Sequence, residues 1–325
     1  MRQLEPYLRA FEAELKNYRE QLPEDGLHAP IRYILALGGK RIRPALVMLA
    51  AEAFGSDFSE SLPAALAVEI FHNFSLVHDD IMDAAPLRRG QATVHHRWDS
   101  NRAILSGDAM LIAAYKQLER CGKDKLPALF SLFNKTAFEV CLGQQYDMDF
   151  ENEMDVSTER YIEMISLKTA VLLGCSLKMG ALVANASEED AEKLYQYGKL
   201  AGIGFQIQDD FLDAFGDPDR FGKQVGGDIL SGKKTLLSTY ALQVAEGSEA
   251  AELKSIYNGE REMPAGEKVR RVQELFRSLG AGEHALQVAD RYFEQAAGCL
   301  DALQLPESQK NGLRAFLDGL RVREY

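Results

Sequence analysis

The sequence predicts an all-α protein, on three observations. Apolar residues recur at helical spacing through most of the chain, as in Leu4, Leu8, Phe11 and Leu15 near the start. Strand signals are sparse: there is no run of alternating β-branched residues and no Asn-Gly hairpin turn. Capping residues stand where helices should begin, Ser187 with Asp190, and Ser157 or Thr158 before Tyr161.

Taken in order, the apolar stripes place helices over 44–54, 62–83, 101–120, 125–150, 158–173, 187–214, 236–245, 267–279, 283–303 and 307–321, following the first stripe. The expectation is ten or more helices. The longest irregular segments, 84–99 and 215–234, are rich in Arg, Lys, Gly and Asp. Long loops in a compact domain are usually functional or disordered. No break in composition divides the chain, so a single domain over 1–325 is expected.

At 325 residues and 46% hydrophobic, the chain can bury a sizeable core. A net charge of −12 argues against general nucleic-acid binding, and against docking on an anionic membrane. A diphosphate could still bind where local cations or metal reverse the sign. Cys121, Cys141, Cys175 and Cys299 form no Cys-x-x-Cys pair, so they read as free thiols rather than a zinc site. The N-terminus is charged throughout, without the apolar core of a signal peptide. No apolar run approaches the roughly 20 residues that span a bilayer. A cytoplasmic protein without stable membrane insertion is expected.

Two Asp-Asp-x-x-Asp runs carry the chemistry: Asp79, Asp80 and Asp83, and Asp209, Asp210 and Asp213. On a helix, residues three and four apart share a face, so each run gathers three like charges. A solvated acidic face is the ordinary fate of such a run. Here, however, Phe71, Phe74, Leu76 and Val77 precede the first, and Ile203, Phe205 and Ile207 precede the second. Carboxylates that close an apolar helix need a compensating cation. Magnesium, a hard ion that takes carboxylate and phosphate oxygens, fits that need.

Basic residues accompany both runs. Gly38-Gly39-Lys40-Arg41-Ile42-Arg43-Pro44 sets cations and backbone amides at a helix start. Arg88 and Arg89 lie just past Asp83, Lys168-Thr169 lies within a helix, and Lys223, Lys233 and Lys234 follow the second run in a Gly-rich loop. Any one of these could be surface charge, and Lys168 alone could be a snorkelling side chain. Together, beside two carboxylate clusters, they read as ligands for an anion. There is no Walker A loop and no Gly-x-Gly-x-x-Gly turn, so a nucleotide is not the obvious anion.

These residues, in this order from Gly38 to Thr235, resemble the trans-isoprenyl diphosphate synthases, the polyprenyl synthetase family. The resemblance implies a bundle of antiparallel helices around a central apolar cavity, in a homodimer. It implies a magnesium-dependent prenyltransferase that joins isopentenyl diphosphate head-to-tail to an allylic diphosphate. Asp79 and Asp83 would hold two magnesium ions and Asp209 a third, with Asp80, Asp210 and Asp213 binding metal through water or orienting the shell. Arg88, Lys168, Lys223 and Lys233 would grip the allylic diphosphate; Lys40, Arg43, His72 and Arg89 would grip isopentenyl diphosphate. Thr169, Gln206 and Phe205 would face the reacting carbon. Gln144 and Asp147, in Gly143-Gln-Gln-Tyr-Asp147, match a further element near the metals. His72 lies seven residues before Asp79, two turns along the same helical face. His78, His95 and His96 read as structural or loop residues.

Product length should follow from bulk near the first run. Phe74 precedes Asp79 by five residues, roughly 7–8 Å of helix, and Phe71 lies about 12 Å away. With Ser75 small, two rings so close imply a product of fifteen or twenty carbons, unless the rings merely pack in the core. Two rival readings differ in class. A class I terpene cyclase shares the first motif, but its second metal motif mixes Asn, Ser and Glu, and it needs no second diphosphate site. A non-catalytic partner subunit of a synthase would typically have lost metal ligands that this chain keeps.

Overall fold

The computed structural model describes residues 2–151, 153, 155–216, 225–260 and 262–322. Among them every regular element is helical apart from one two-residue-stranded hairpin, Leu87–Arg88 with Gln91–Ala92. The all-α expectation holds. Helices α1 (Glu5–Gln21), α2 (His28–Ala36), α3 (Ile42–Ala53), α4 (Leu62–Met82), α5 (Val94–Arg97), α6 (Ser100–Leu118), α7 (Leu126–Glu151), α8 (Thr158–Ile165), α9 (Val171–Val183) and α10 (Glu188–Phe215) carry most of the chemistry. Further helices follow at Gly227–Ser231, Leu236–Val244, Gly247–Tyr257, Ala265–Ser278, Ala281–Asp301 and Glu307–Arg321. The periodicity missed α2, α5, Gly227–Ser231 and Gly247–Tyr257, which are short, so the segments expected to be irregular at 84–99 and 215–234 each hold a helix.

By its packing the chain forms two compact units. The first comprises Met1–Thr136, Leu172–Tyr195 and Ala302–Phe316. Its axis is α4, buried almost all round from Ala64 to Phe74, as a helix with apolar residues on every side must be. By contrast α1 buries a single stripe, Tyr7, Phe11 and Leu15. Helix α6 lies along α4. Their close approach needs Gly107, where a Cβ would fall 2.5 Å from Cδ2 of His78. Phe71 is fully buried, with ring centroids 5.5 Å from Phe74 and 5.2 Å from Phe133. Burying such a side chain stabilises the fold by about 1.5–3 kcal/mol. The expected cap at Ser187 is present: its Oγ accepts from the Asp190 amide (3.1 Å).

The second unit comprises Ala137–Val171, Gln196–Asp301 and Leu317–Tyr325. At its centre α8 does not stop at Ile165 but opens into a π turn, Ser166–Ala170, before α9. A π turn is uncommon and often marks a functional site. Glycines let neighbours press against it from two helices. A Cβ at Gly143 of α7 would lie 2.6 Å from Cα of Lys168, and one at Gly202 of α10 would lie 2.9 Å from Cα of Ala170.

Two expectations need correction. The helix Thr158–Val183, continuous through the π turn, is long and apolar enough to cross a membrane, although no unbroken apolar run signals it. Its most apolar window is 72% buried within the protein, the condition of a core helix. The segment 84–99 is not wholly irregular. Arg89 and Gly90 both take positive φ, 54° and 74°, the backbone of a two-residue hairpin turn. No Asn-Gly pair announces it, because Arg89 is an unusual occupant of the left-handed region.

Candidate active site

In the first unit, the motif Asp79, Asp80 and Asp83 closes the C-terminal end of α4, where the helix dipole is already negative. The three carboxylates are not equivalent. Asp83 is exposed, Asp79 half-buried and Asp80 buried. Asp80 Oδ1 accepts from Nε of Arg88 (2.8 Å) and lies 2.7 Å from its NH2, which is 3.5 Å from Asp79 Oδ2. This fork is a charge-assisted pair. Even so, burial outweighs Arg88 and raises the Asp80 pKa.

The hairpin turn sends its two arginines apart. Arg88 meets Asp80, while Arg89 NH1 donates to the Leu37 carbonyl (3.1 Å) beside Gly39. Arg43, from the first turn of α3, sends NH1 to within 3.3 Å of His72 Nε2 on α4. Burial, with Arg89 close by, pushes Arg43 down to about 10, so it remains a cation at neutral pH. Burial, followed by Arg43, Arg89, Arg88 and Arg41, holds the His72 pKa well below 6.5. His72 is therefore a neutral imidazole whose Nε2 accepts from Arg43. Lys40 is exposed on the loop ahead of α3. Lys40, Arg43, His72 and Arg89 thus belong to one stretch of the first unit, with Arg88 and the Asp79 motif on the same α4 end. Arg41 departs from its companions and turns inward, onto Glu69.

Phe71 and Phe74 sit below the motif on α4, and they differ. Phe71 packs on Phe133 in the core. Phe74 is met edge-on by His78, with centroids 4.8 Å apart. His78 is itself fixed, its Nε2 3.1 Å from the Ile104 carbonyl in the space left by Gly107. Ser75 turns its hydroxyl back to the His72 carbonyl (2.9 Å).

In the second unit a pocket of about 180 Å³ collects Asp147, Lys168, Thr169, Gln206, Asp210 and Lys233, together with Tyr161, Asp228 and Lys234. Lys168, on the π turn, pairs with Asp147 of α7 at 2.5 Å. Asp210, near the C-terminal end of α10, accepts from Tyr161 (2.5 Å) and from Gln206 Nε2 (2.8 Å). Burial, then the neighbouring charge of Asp228, pushes the Asp210 carboxyl up to about 8. Asp213 has a different partner. It accepts from the Asp228 amide (2.9 Å) and so caps the helix Gly227–Ser231. Asp209 and Phe205 are half-buried on the same stretch of α10. Gln144 Nε2 is buried without a hydrogen-bond partner. Lys233 and Lys234 both line the pocket, and the buried Lys234 also sits 5.6 Å over the Tyr257 ring. Lys223 lies outside the described residues.

Sequence reasoning missed Tyr161 and Asp228. Tyr161 stood out only as a residue after a cap, and its partner lies 49 positions away. Asp228 was visible within Gly222-Lys-Gln-Val-Gly-Gly-Asp-Ile229, but nothing in that loop announces Asp210 as its neighbour.

The donors suit magnesium. They are hard carboxylate oxygens, and Asp80 Oδ2 is buried without a hydrogen-bond partner. Among the described residues, no three His, Cys, Asp or Glu side chains are gathered to hold an ion unaided. The protein would therefore supply only part of the coordination shell.

Residues 24–277 match the polyprenyl synthetase family model. The chain is 39% identical over 306 residues to a geranylgeranyl diphosphate synthase of Methanosarcina mazei, covering 93% of this chain and 91% of that one. Its fold is similar to a crystal structure of a geranylgeranyl pyrophosphate synthase, with a TM-score of 0.94 at 44% identity over 99% of both chains. It is also similar to the geranylgeranyl pyrophosphate synthetase of Pyrococcus horikoshii, with a TM-score of 0.90 at 32% identity over 99% of this chain and 97% of that one.

Proposed function

Because the chain belongs to the polyprenyl synthetase family, we propose that it is a trans-prenyltransferase that condenses isopentenyl diphosphate head-to-tail with an allylic diphosphate. The product is a short all-trans prenyl diphosphate of fifteen or twenty carbons. The observation that carries this reading is the arginine cluster of the first unit. Arg43 meets His72 of α4 (3.3 Å), and the hairpin past the end of that helix brings Arg89 and Arg88, the latter onto Asp79 and Asp80. A second anionic substrate needs such a place, and a terpene cyclase does not.

In this reading the whole chain works as one polyprenyl synthetase domain. Asp79, Asp83 and Asp209 would hold three magnesium ions. Bound there, magnesium neutralises charge as it grows on the departing diphosphate. Asp80, Asp210 and Asp213 orient their neighbours: Asp80 aims Arg88, Asp210 anchors Tyr161 and Gln206, and Asp213 fixes the Asp228 helix start. Arg88, Lys168, Lys223 and Lys233 grip the allylic diphosphate, with Gln144 and Asp147 beside them. Lys40, Arg43, His72 and Arg89 grip isopentenyl diphosphate. Loss of diphosphate leaves an allylic cation. Thr169, Gln206 and Phe205 face it with weak dipoles and a ring face, none of which is a competing nucleophile. The double bond of isopentenyl diphosphate attacks, and a proton leaves to the released diphosphate. Phe74, with Phe71 behind it and Ser75 beside it, limits the tail. The protein works in the cytoplasm as a homodimer, without nucleic acid and without insertion in a membrane.

The test is direct. Purified protein is incubated with magnesium, isopentenyl diphosphate and each of the five-, ten- and fifteen-carbon allylic diphosphates, and the products are sized by chromatography. Turnover of an allylic diphosphate that does not need isopentenyl diphosphate would point to a cyclase. Product formed only after mixing with another chain would point to a partner subunit.

A further inference from the structure

Arg41 is a cation that no substrate reaches. It is 5% exposed, and all three nitrogens of its guanidinium donate inside the first unit. NH1 donates to Glu69 (2.5 Å), Nε to Glu12 (3.0 Å), and NH2 to the carbonyls of Leu35 (3.0 Å) and Leu37 (3.1 Å). Its backbone is left-handed, at φ 45°, an unusual state for a long side chain that surrounding contacts must impose. Glu69 is 2% exposed and also held: Asn73 Nδ2 donates both to its carboxylate (2.9 Å) and to its carbonyl (2.8 Å). The Leu37 carbonyl that Arg41 grips also accepts from Arg89. Arg89 in turn lies against Gly39, where a Cβ would fall 3.0 Å from its guanidinium carbon. Glu69, Arg41, the Leu37 carbonyl and Arg89 form one continuous chain of contacts.

We propose that Glu69 and Arg41 are positioning residues for the isopentenyl diphosphate subsite. Arg41 pins the loop that ends in Gly38, Gly39 and Lys40, and Glu69 is the buried counter-charge that keeps Arg41, Arg43 and Arg89 together before the anion arrives. The inference rests on the reading above that Lys40, Arg43 and Arg89 bind isopentenyl diphosphate.

Charge alone predicts the opposite. A carboxylate near an anion site repels the anion, so neutralising it should tighten binding. Positioning predicts weaker binding, confined to one of the two substrates. Glu69→Gln keeps the shape and removes the charge; Arg41→Lys keeps the charge and removes the fork. In each, the KM for isopentenyl diphosphate is expected to rise about tenfold, while the KM for the allylic diphosphate stays within about twofold and kcat at saturation is largely kept. Glu12→Gln changes a half-exposed partner of Arg41 and leaves the core intact, so it reports even if the other two fail to fold. Its expected rise is about two- to threefold, again for isopentenyl diphosphate alone. An unchanged or lowered KM for isopentenyl diphosphate in a folded variant overturns the inference, and so does an equal rise for both substrates. A wild-type protein that consumes no isopentenyl diphosphate condemns the proposed function instead.

Discussion

A Cβ on Gly143 would lie 2.6 Å from Cα of Lys168, so α7 meets the π turn backbone to backbone. No side chain fits between them. Gly143→Ala should therefore move Lys168 and Thr169, not merely crowd them. The expected cost is about 1–3 kcal/mol of stability, from overpacking. Because small displacements of a positioned group are costly, kcat should fall about a hundredfold. Chemical denaturation and steady-state rates measure the two effects, and a variant normal in both would show that the contact yields freely.

Tyr161→Phe removes the hydroxyl that donates to Asp210 and leaves Gln206 as its remaining side-chain donor. Losing a buried hydrogen bond to a carboxyl should lower stability by about 1–3 kcal/mol, read as a shift in the denaturation midpoint. Activity should fall as well, because Gln206 shares that carboxyl.

His72 gives a pH test with a definite sign. Its folded pKa lies well below the ordinary 6.5, so the unfolded chain takes up its proton first as the medium acidifies. Stability from this group is full above about pH 6.5 and is lost as pH falls below it. The ring resonances of His72 should still report a neutral imidazole at pH 6. His72→Gln should flatten the stability slope between pH 5 and about 6.5. A His72 that titrates normally would mean that neither burial nor the arginines press on it.

Much of this was legible in the chain, and the exceptions share a cause. Apolar spacing located α4 and α10 within a residue or two, because α4 is apolar on every side and α10 keeps a long apolar stripe. Ser187 announced its helix, since the cap and its partner lie three residues apart. The motifs identified which side chains carry charge, but not how each is partnered. Arg41 and Arg43 read alike in sequence. One pairs with Glu69, 28 positions on, and the other faces His72, 29 positions on. Only the folded arrangement of α3 against α4 tells them apart. The π turn was equally hidden: Ser166–Ala170 contains nothing that breaks a helix, and its widening accompanies the packing against Gly143 and Gly202.

Phe71 and Phe74 should behave differently when shortened. Phe71 is packed between Phe74 and Phe133, and Phe71→Ala should cost about 3–5 kcal/mol. Phe74→Ala should cost less and lengthen the product by at least one five-carbon unit. Product chromatography alongside thermal melts separates the two, and an unchanged product from folded Phe74→Ala would remove Phe74 from the role of floor.

Magnesium and inorganic diphosphate should stabilise the protein together more than either does alone, because each completes the other's contacts. The melting temperature with both present should rise by several degrees, and Asp79→Asn should abolish most of the synergy while leaving the unliganded melt nearly unchanged. Purely additive shifts in the wild type would argue against a shared shell.

The hairpin turn at Arg89 and Gly90 has a wider implication for how such a chain can drift. Arg88 ends the first strand and Arg89 takes the left-handed turn position, so two neighbouring guanidiniums serve two destinations from one short stretch of backbone. Inserting or deleting a single amino acid there would change the turn and misdirect both at a stroke. Point substitutions at this loop can be sampled one at a time, whereas its length is effectively frozen.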